Sequence, residues 1–193
     1  MDGTLVSSAF LRQAGPADSA AIREFVCRLS QRTQRLRFFA SVAPPSTGLL
    51  RALAGASGRA DVLLVTAGDG TVIAHGMAAD APARDGVESS IGLVVADAWQ
   101  RRGVGTQLLR ALTTRAARRG VGTLALEVLP DNHVMLGIIR SQWPEAPVER
   151  TPDALVFRPA MPAGAGLQTV PAAIRVSQLA NSGDHSAPGR SAA

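Results

Sequence analysis

The chain has 193 residues, of which 46% are hydrophobic and 18% charged, the balance of a globular protein with one substantial core rather than a disordered or fibrous chain. Its net charge is +5 and all 20 basic residues are Arg, so neither a Schiff-base lysine nor the lysine of an ATP-binding phosphate loop can operate here. Tyrosine is absent, which removes the phenol as an acid, and the single Cys27 excludes an internal disulfide.

No run reaches the roughly 18 apolar residues of a membrane span. Met1–Ser8 has neither the basic flank nor the apolar stretch of a secretion signal, so a cytoplasmic protein without a membrane partner is expected. Ala9–Gln13 reads as a first strand. Pro16 and Asp18 open a helix on which Ile22, Phe25, Val26 and Leu29 recur at the spacing of one apolar face, with Cys27 packing beside that stripe. Ser30–Ala40 contains a second helix, expected to bury Leu36 and Phe38 or Phe39, and Leu49–Ala56 a third after the Pro44-Pro45 break. Asp61–Thr66 and Thr71–Met77 flank the Gly68-Asp69-Gly70 turn as a hairpin. A loop at Pro82–Gly86 precedes a strand at Glu88–Val95. The spacing of Val104, Leu108, Leu112 and Ala116 predicts a helix over Gly103–Arg119, stopped by Gly120. Thr123–Leu129 is a strand, Val134–Arg140 a short helix, and Val148–Thr151 with Ala154–Arg158 a last hairpin. Residues 9–159 are therefore expected to form one domain, with 160–193, rich in Ala, Gly, Pro and Ser, as a flexible tail. The element order predicts the α/β class in its mixed α+β form, a central sheet flanked by helices.

The segment Gln100-Arg101-Arg102-Gly103-Val104-Gly105-Thr106 stands between a β-type run and an amphipathic helix. The first turn of a helix leaves backbone N–H groups without partners, and the macrodipole adds positive charge there. Glycines let a phosphate approach those amides, and Arg101 and Arg102 stand where a guanidinium could support it from the side. A glycine pair at a helix start also serves as a plain tight turn. The dinucleotide fingerprint is excluded because Leu108 occupies the place of its third glycine. A phosphate-bearing cofactor held by main-chain amides is the expectation.

Val94-Val95 followed by Gln100-Arg101-Arg102-Gly103-Val104-Gly105 resembles the Q/R-x-x-G-x-G/A signature of the GNAT family of N-acetyltransferases. Leu129-Pro130-Asp131-Asn132, with Met135-Leu136 after it, is similar to the family's next block, and Leu36-Arg37-Phe38-Phe39 to an early helix of its bacterial protein-acetyltransferase branch. The resemblance covers about Ala9–Pro159. It implies acetyl-CoA, or a related acyl-CoA, bound where two parallel strands splay, Ser89–Val95 and Thr123–Leu129. Backbone groups of Val94 and Val95 would pair with the pantetheine amides, the amides of Arg102, Gly103, Val104, Gly105 and Thr106 would hold the pyrophosphate, and Asn132 would lie near the pantetheine arm. Gln100 and Arg101 complete the cofactor set. The implied reaction is direct attack of an amine on the thioester, with a carboxylate as base.

The branch carries a Glu on the cofactor strand where this chain has Ser90. Glu88, two residues earlier on the same side of a regular strand, is the first candidate base, and Glu127 on the partner strand the second. With no Tyr, water, Ser141 or the departing thiol itself must manage the leaving-group proton. The usual Gly-Phe after the last helix is replaced by Gln142-Trp143. These departures favour an alternative, a non-catalytic acyl-CoA-binding sensor or interaction domain of the same fold. His75 and His133 read as structural or surface residues, and Arg110, Arg115, Arg118 and Arg119 as a solvated row at a helix C-terminus, with cofactor-phosphate contact as second choice. No group of side chains has metal-ligand spacing, so no metal is expected. Aromatics at 4% without a binding motif argue against nucleic acid. No residue names the acceptor, a protein or small-molecule amine, and the oligomeric state, homodimer included, is open.

Overall fold

A computed structural model describes residues 9–56, 58, 60–84 and 86–161, together with the backbone of 173–174. The chain order is β1 (Ala9–Gln13), α1 (Ser19–Arg28), α2 (Gln31–Phe38), α3 (Thr47–Leu53), β2 (Ala60–Ala67), β3 (Val72–Ala83), β4 (Gly86–Val95), α4 (Val104–Arg118), β5 (Thr123–Val128), α5 (His133–Gln142), β6 (Val148–Arg150), β7 (Leu155–Phe157) and β8 (Ala173–Ile174). One mixed sheet runs β6-β7-β5-β4-β3-β2-β1-β8, with β4 and β5 parallel and every other pair antiparallel. This is the mixed α/β architecture that the element order implies.

Each face of the sheet has its own core. On one face α4 buries Val104, Leu108, Leu109, Ala111, Leu112 and Ala116, spaced along one helical stripe, against Ile73, Ile91, Leu124 and Leu126, and α5 adds Leu136 and Ile139. On the other face Ile22, Phe25 and Val26 of α1 meet Leu50 and Leu53 of α3 over Leu64, Val72 and Val94. Each of the larger side chains, Val, Leu, Ile or Phe, contributes about 1.5–3 kcal/mol on removal from water.

The far end of α4 is pinned by charge. Arg115 Nε donates to Asp61 Oδ2 at 2.6 Å, and Arg119 donates to Asp80 Oδ2 at 2.6 Å and to Asp61 Oδ2 at 2.7 Å. Arg115 and Arg119 are thus structural ties to β2 and β3, not members of a solvated row and not phosphate ligands.

Three expectations change. The helix over Ser30–Ala40 buries Thr33 and Gln34 instead of Leu36 and the phenylalanines. Gln34 donates to Leu29 C=O and accepts from the N–H groups of Val42 and Ala43, so a polar side chain is buried because it completes main-chain hydrogen bonds. Cys27 is exposed rather than packed. The strand expected to stop at Met77 continues through Pro82 to Ala83. Pro82 faces Val87, whose C=O bonds instead to Gly122 N–H, so no ladder bond is asked of the missing proline N–H.

Of the expected tail, Ala160 bridges to Thr123, Met161 N–H bonds to Gly122 C=O, and Ala173–Ile174 pair with Ala9 and Phe10. The rest of that segment lies outside the described residues.

Candidate active site

The site begins with a strand that changes partner midway. β5 pairs with β4 over Thr123–Ala125 and with β7 over Leu126–Val128. β4 runs on from Ser90 to Val95 with no strand on that side, so a gap opens between two parallel strands. Two hydrogen bonds fix which main-chain groups face it. Val87 C=O accepts from Gly122 N–H on the β5 side, and Ala96 N–H donates to Ile73 C=O on the β3 side. Strand alternation then turns Leu93 and Val95 toward the gap and Val94 toward His75 on β3. Val94 is a buried residue of the cleft wall whose main chain faces β3, and Leu93, which the sequence did not single out, presents its main chain to the gap beside Val95. Strand parity counted back from the Gly-x-Gly turn would have found it.

Beyond Val95 the chain forms an anion-shaped turn. Arg101 has φ 59° and Gly103 φ 81°, left-handed residues on either side of Arg102, and α4 starts directly after them. Such a turn directs successive N–H groups into one concavity. The first intrahelical bond is Gln107 N–H to Gly103 C=O, so the amides of Val104, Gly105 and Thr106 precede the ladder. Arg101, Gly103, Gly105 and Thr106 line the cleft. The Val104 side chain is core, and the Arg102 guanidinium lies over the Trp99 ring at 5.5 Å from its centroid. Gln100 donates from Nε2 to Val95 C=O and to Thr33 Oγ1, so its side chain braces the turn. Asn132 Oδ1 accepts from Met135 N–H and caps α5 at the cleft wall, beside exposed His133.

Gap and turn open into one cleft of about 900 Å³, closed on its other side by α2. Glu88, Ser90 and Gly92 of β4 share a sheet face with Ala125 and Glu127 of β5, because Ser90 and Ala125 are register partners. The two candidate bases lie on this face in different surroundings. Glu88 Oε2 accepts from Arg158 Nη1 at 3.0 Å. Glu127 is exposed in the cleft, and no described residue forms a hydrogen bond or ion pair with it. Ser141 does not line the cleft.

Two features here escaped the sequence reading. Asp97 accepts from Ser30 N–H, Ser30 Oγ and Thr33 Oγ1, tying the start of α2 to the segment that leads into α4. Burial works against its charge, but those hydrogen bonds outweigh it and hold the carboxyl below the usual range. The second is Arg37, whose guanidinium lies flat on Gly92. A Cβ there would stand 2.5 Å from Arg37 Cζ and Nη2. Its Nε is buried without an acceptor, and burial lowers its pKa to about 10. Beneath it His75 donates from Nε2 to Leu53 C=O at 2.8 Å, while its buried Nδ1 has no partner. Burial, helped by the Arg37 charge, lowers His75 to about 4, so this histidine is neutral and structural.

Residues 29–141 match the acetyltransferase (GNAT) family model. No curated protein sequence matches the chain. Among solved structures, the GNAT domain of PAT from S. lividans superposes with a TM-score of 0.72 at 21% identity, over 83% of this chain and 99% of that one. A phosphinothricin acetyltransferase from Sinorhizobium meliloti in complex with acetyl-CoA gives 0.60 at 18% identity, over 79% and 88%. RimL, a ribosomal α-N-protein acetyltransferase in complex with coenzyme A, gives 0.63 at 18%, over 81% and 96%. These likenesses extend the shared fold across the sheet, while the family match covers more than half the sequence, from α2 through the phosphate turn to α5: the chain belongs to the GNAT acetyltransferase family.

Proposed function

We propose that the protein is an acetyl-CoA-dependent N-acetyltransferase that brings an amine directly to the thioester. The observation that carries this reading is the change of partner by β5, which leaves an open strand edge leading from the N–H concavity before α4. The residues present suit the donor: amides of Val104, Gly105 and Thr106 for the pyrophosphate, Arg101 beside them, and the main chain of Leu93 and Val95 for the pantetheine amides. Acetyl-CoA supplies an acetyl group already activated toward amines, so no protein nucleophile is required.

Glu127 is the proposed base. It is the carboxylate in the cleft without a partner among the described residues, whereas Glu88 is engaged by Arg158. The amine nitrogen gains the acetyl carbon as the C–S bond breaks, its proton passes to Glu127, and the sulfur leaves with the electron pair. Water at the open cleft mouth protonates the sulfur in the absence of tyrosine.

A second reading, acyl-CoA binding without turnover, draws on the ion pair of Glu88 and on Ser90 in the position where a Glu would be expected. Calorimetric titration of acetyl-CoA, followed by coenzyme A release in the presence of amines, tests both. Saturable binding with amine-dependent release supports the enzyme; binding with no release by any amine supports the second reading. Gly105→Glu sets a carboxylate in the first turn of α4, where it suits the helix but repels a pyrophosphate, so binding should weaken at least about 100-fold with the fold intact. Unchanged affinity in that variant would remove the phosphate turn from the site.

A further inference from the structure

We propose that the acceptor is an amine carrying its own carboxylate, a free amino acid or close analogue, and that Arg37 holds this carboxylate in the cleft. This rests on the acetyltransferase reading above and narrows its substrate class.

Arg37 belongs to the last turn of α2, and its guanidinium is pressed onto β4 where glycine alone leaves room. The distances from an added Gly92 Cβ are 2.5 Å to Cζ, 2.5 Å to Nη2 and 2.7 Å to Nη1, so the whole planar group covers that residue. None of its three nitrogens forms a hydrogen bond or ion pair with a described residue, and Nε is buried. His75, whose pKa the Arg37 charge helps to lower, is neutral, so Arg37 finds no anion there. Of the other arginines that line the cleft, Arg158 pairs with Glu88, and Arg32 and Arg101 are exposed to water, so Arg37 is the desolvated one. A desolvated guanidinium left without an anion is costly, and its flat fork of donors matches a carboxylate.

The donor's phosphates do not fill this role. Their expected seat is the turn before α4, which packs on the opposite face of the sheet, whereas Gly92 and Arg37 lie on the α2 face. The anion for Arg37 has to come with the other substrate. On the same face, across the strand gap, Glu127 presents a free carboxylate. A desolvated, unpaired guanidinium and an unpaired carboxylate facing a single cavity are the complement of a zwitterion. On β3, beyond β4 from Glu127, Met77, the cross-strand partner of Gly92, and Ala79, that of Ser90, line the same cleft and offer apolar surface for the acceptor's side chain.

The test measures coenzyme A release from acetyl-CoA with a panel of L-amino acids, each paired with its carboxamide, and with lysine-containing peptides. The proposal expects at least one free acid to exceed its carboxamide by about tenfold or more in kcat/KM, the scale of one lost charge-assisted contact. Arg37→Met should raise the KM for that acid roughly 10- to 100-fold while kcat and acetyl-CoA affinity stay within about twofold. Arg37→Lys should recover part of the loss. Gly92→Ala keeps the charge but displaces the guanidinium, and should reproduce the KM effect. Equal use of acids and carboxamides, or silence of the acids in a protein that binds acetyl-CoA, overturns the proposal and leaves the acetyltransferase reading to the peptide result. Failure to bind acetyl-CoA removes both.

Discussion

On the α4 side of the cleft the proposed donor surface is main chain: the amides of Val104, Gly105 and Thr106 and the unpaired edge of β4 at Leu93 and Val95. On the α2 side the proposed acceptor surface is side chain: Arg37 over Gly92, Glu127 across the strand gap, and Asp97 with Gln100 holding the helix in place. A surface made of amides needs only the right conformation, so many sequences build it. A surface made of side chains is specific to each protein and sets which second substrate enters. The donor half carries the family character, and the acceptor half carries the individual one.

The largest effect should come from the base. Glu127→Gln should lower kcat by about 100-fold with acetyl-CoA affinity retained, since the donor half is untouched. Glu88→Gln should change kcat less than about threefold, its carboxylate being engaged by Arg158. Steady-state kinetics of the pair decide the matter, and the reverse pattern would put the base on β4.

Next comes pH, which should act on the acceptor half. His75 has a folded pKa of about 4 against an ordinary value of 6.5, so below pH 6.5 the unfolded chain takes up a proton that the folded one refuses. The stability tied to this histidine is complete above pH 6.5 and is lost as pH falls toward 4, by about 2 kcal/mol at pH 5. Urea unfolding at pH 7 and pH 5 measures it. A His75→Gln variant should lose less stability over that interval, and an equal loss would assign the slope elsewhere.

The smallest effect tests the joint between the halves. Asp97→Ala removes the acceptor for three donors at the start of α2 and should cost about 1–2 kcal/mol of unfolding free energy. It should also raise the acceptor KM more than the acetyl-CoA dissociation constant, because α2 moves while the turn before α4 remains. A variant that weakens only acetyl-CoA binding would show that Asp97 serves the turn alone.

The division also explains what could be read from the sequence. The helix stripe Val104, Leu108, Leu112 and Ala116 and the Gly103-Val104-Gly105 spacing are local signals, and they located α4 and the turn at its start. The resemblance added the strand gap. It could not resolve parity at the level of one residue, so it did not single out Leu93, whose main chain faces the gap. The acceptor half was opaque for a different reason. Arg37 is one arginine among twenty until Gly92, 55 positions later, is brought beneath it, and Glu127 differs from Glu88 only through Arg158 on a distant segment. The burial of Gln34 was hidden likewise, since hydrophobic periodicity carries no information about which backbone groups a polar side chain will complete.

The open edge of β4 has a consequence for solubility. Unpaired strand edges are templates on which foreign chains can add, and proteins keep them short, covered or charged. Here the exposed ladder is confined to the stretch around Leu93 and Val95, shut in by α2 on one face and α4 on the other, and Gln100 already occupies Val95 C=O. The stretch is short, and a slim chain of amides such as a pantetheine arm needs less width there than a polypeptide strand with side chains on both faces. A cover that suits a slender ligand thus also keeps the unpaired edge short, the property by which sheets avoid adding foreign strands.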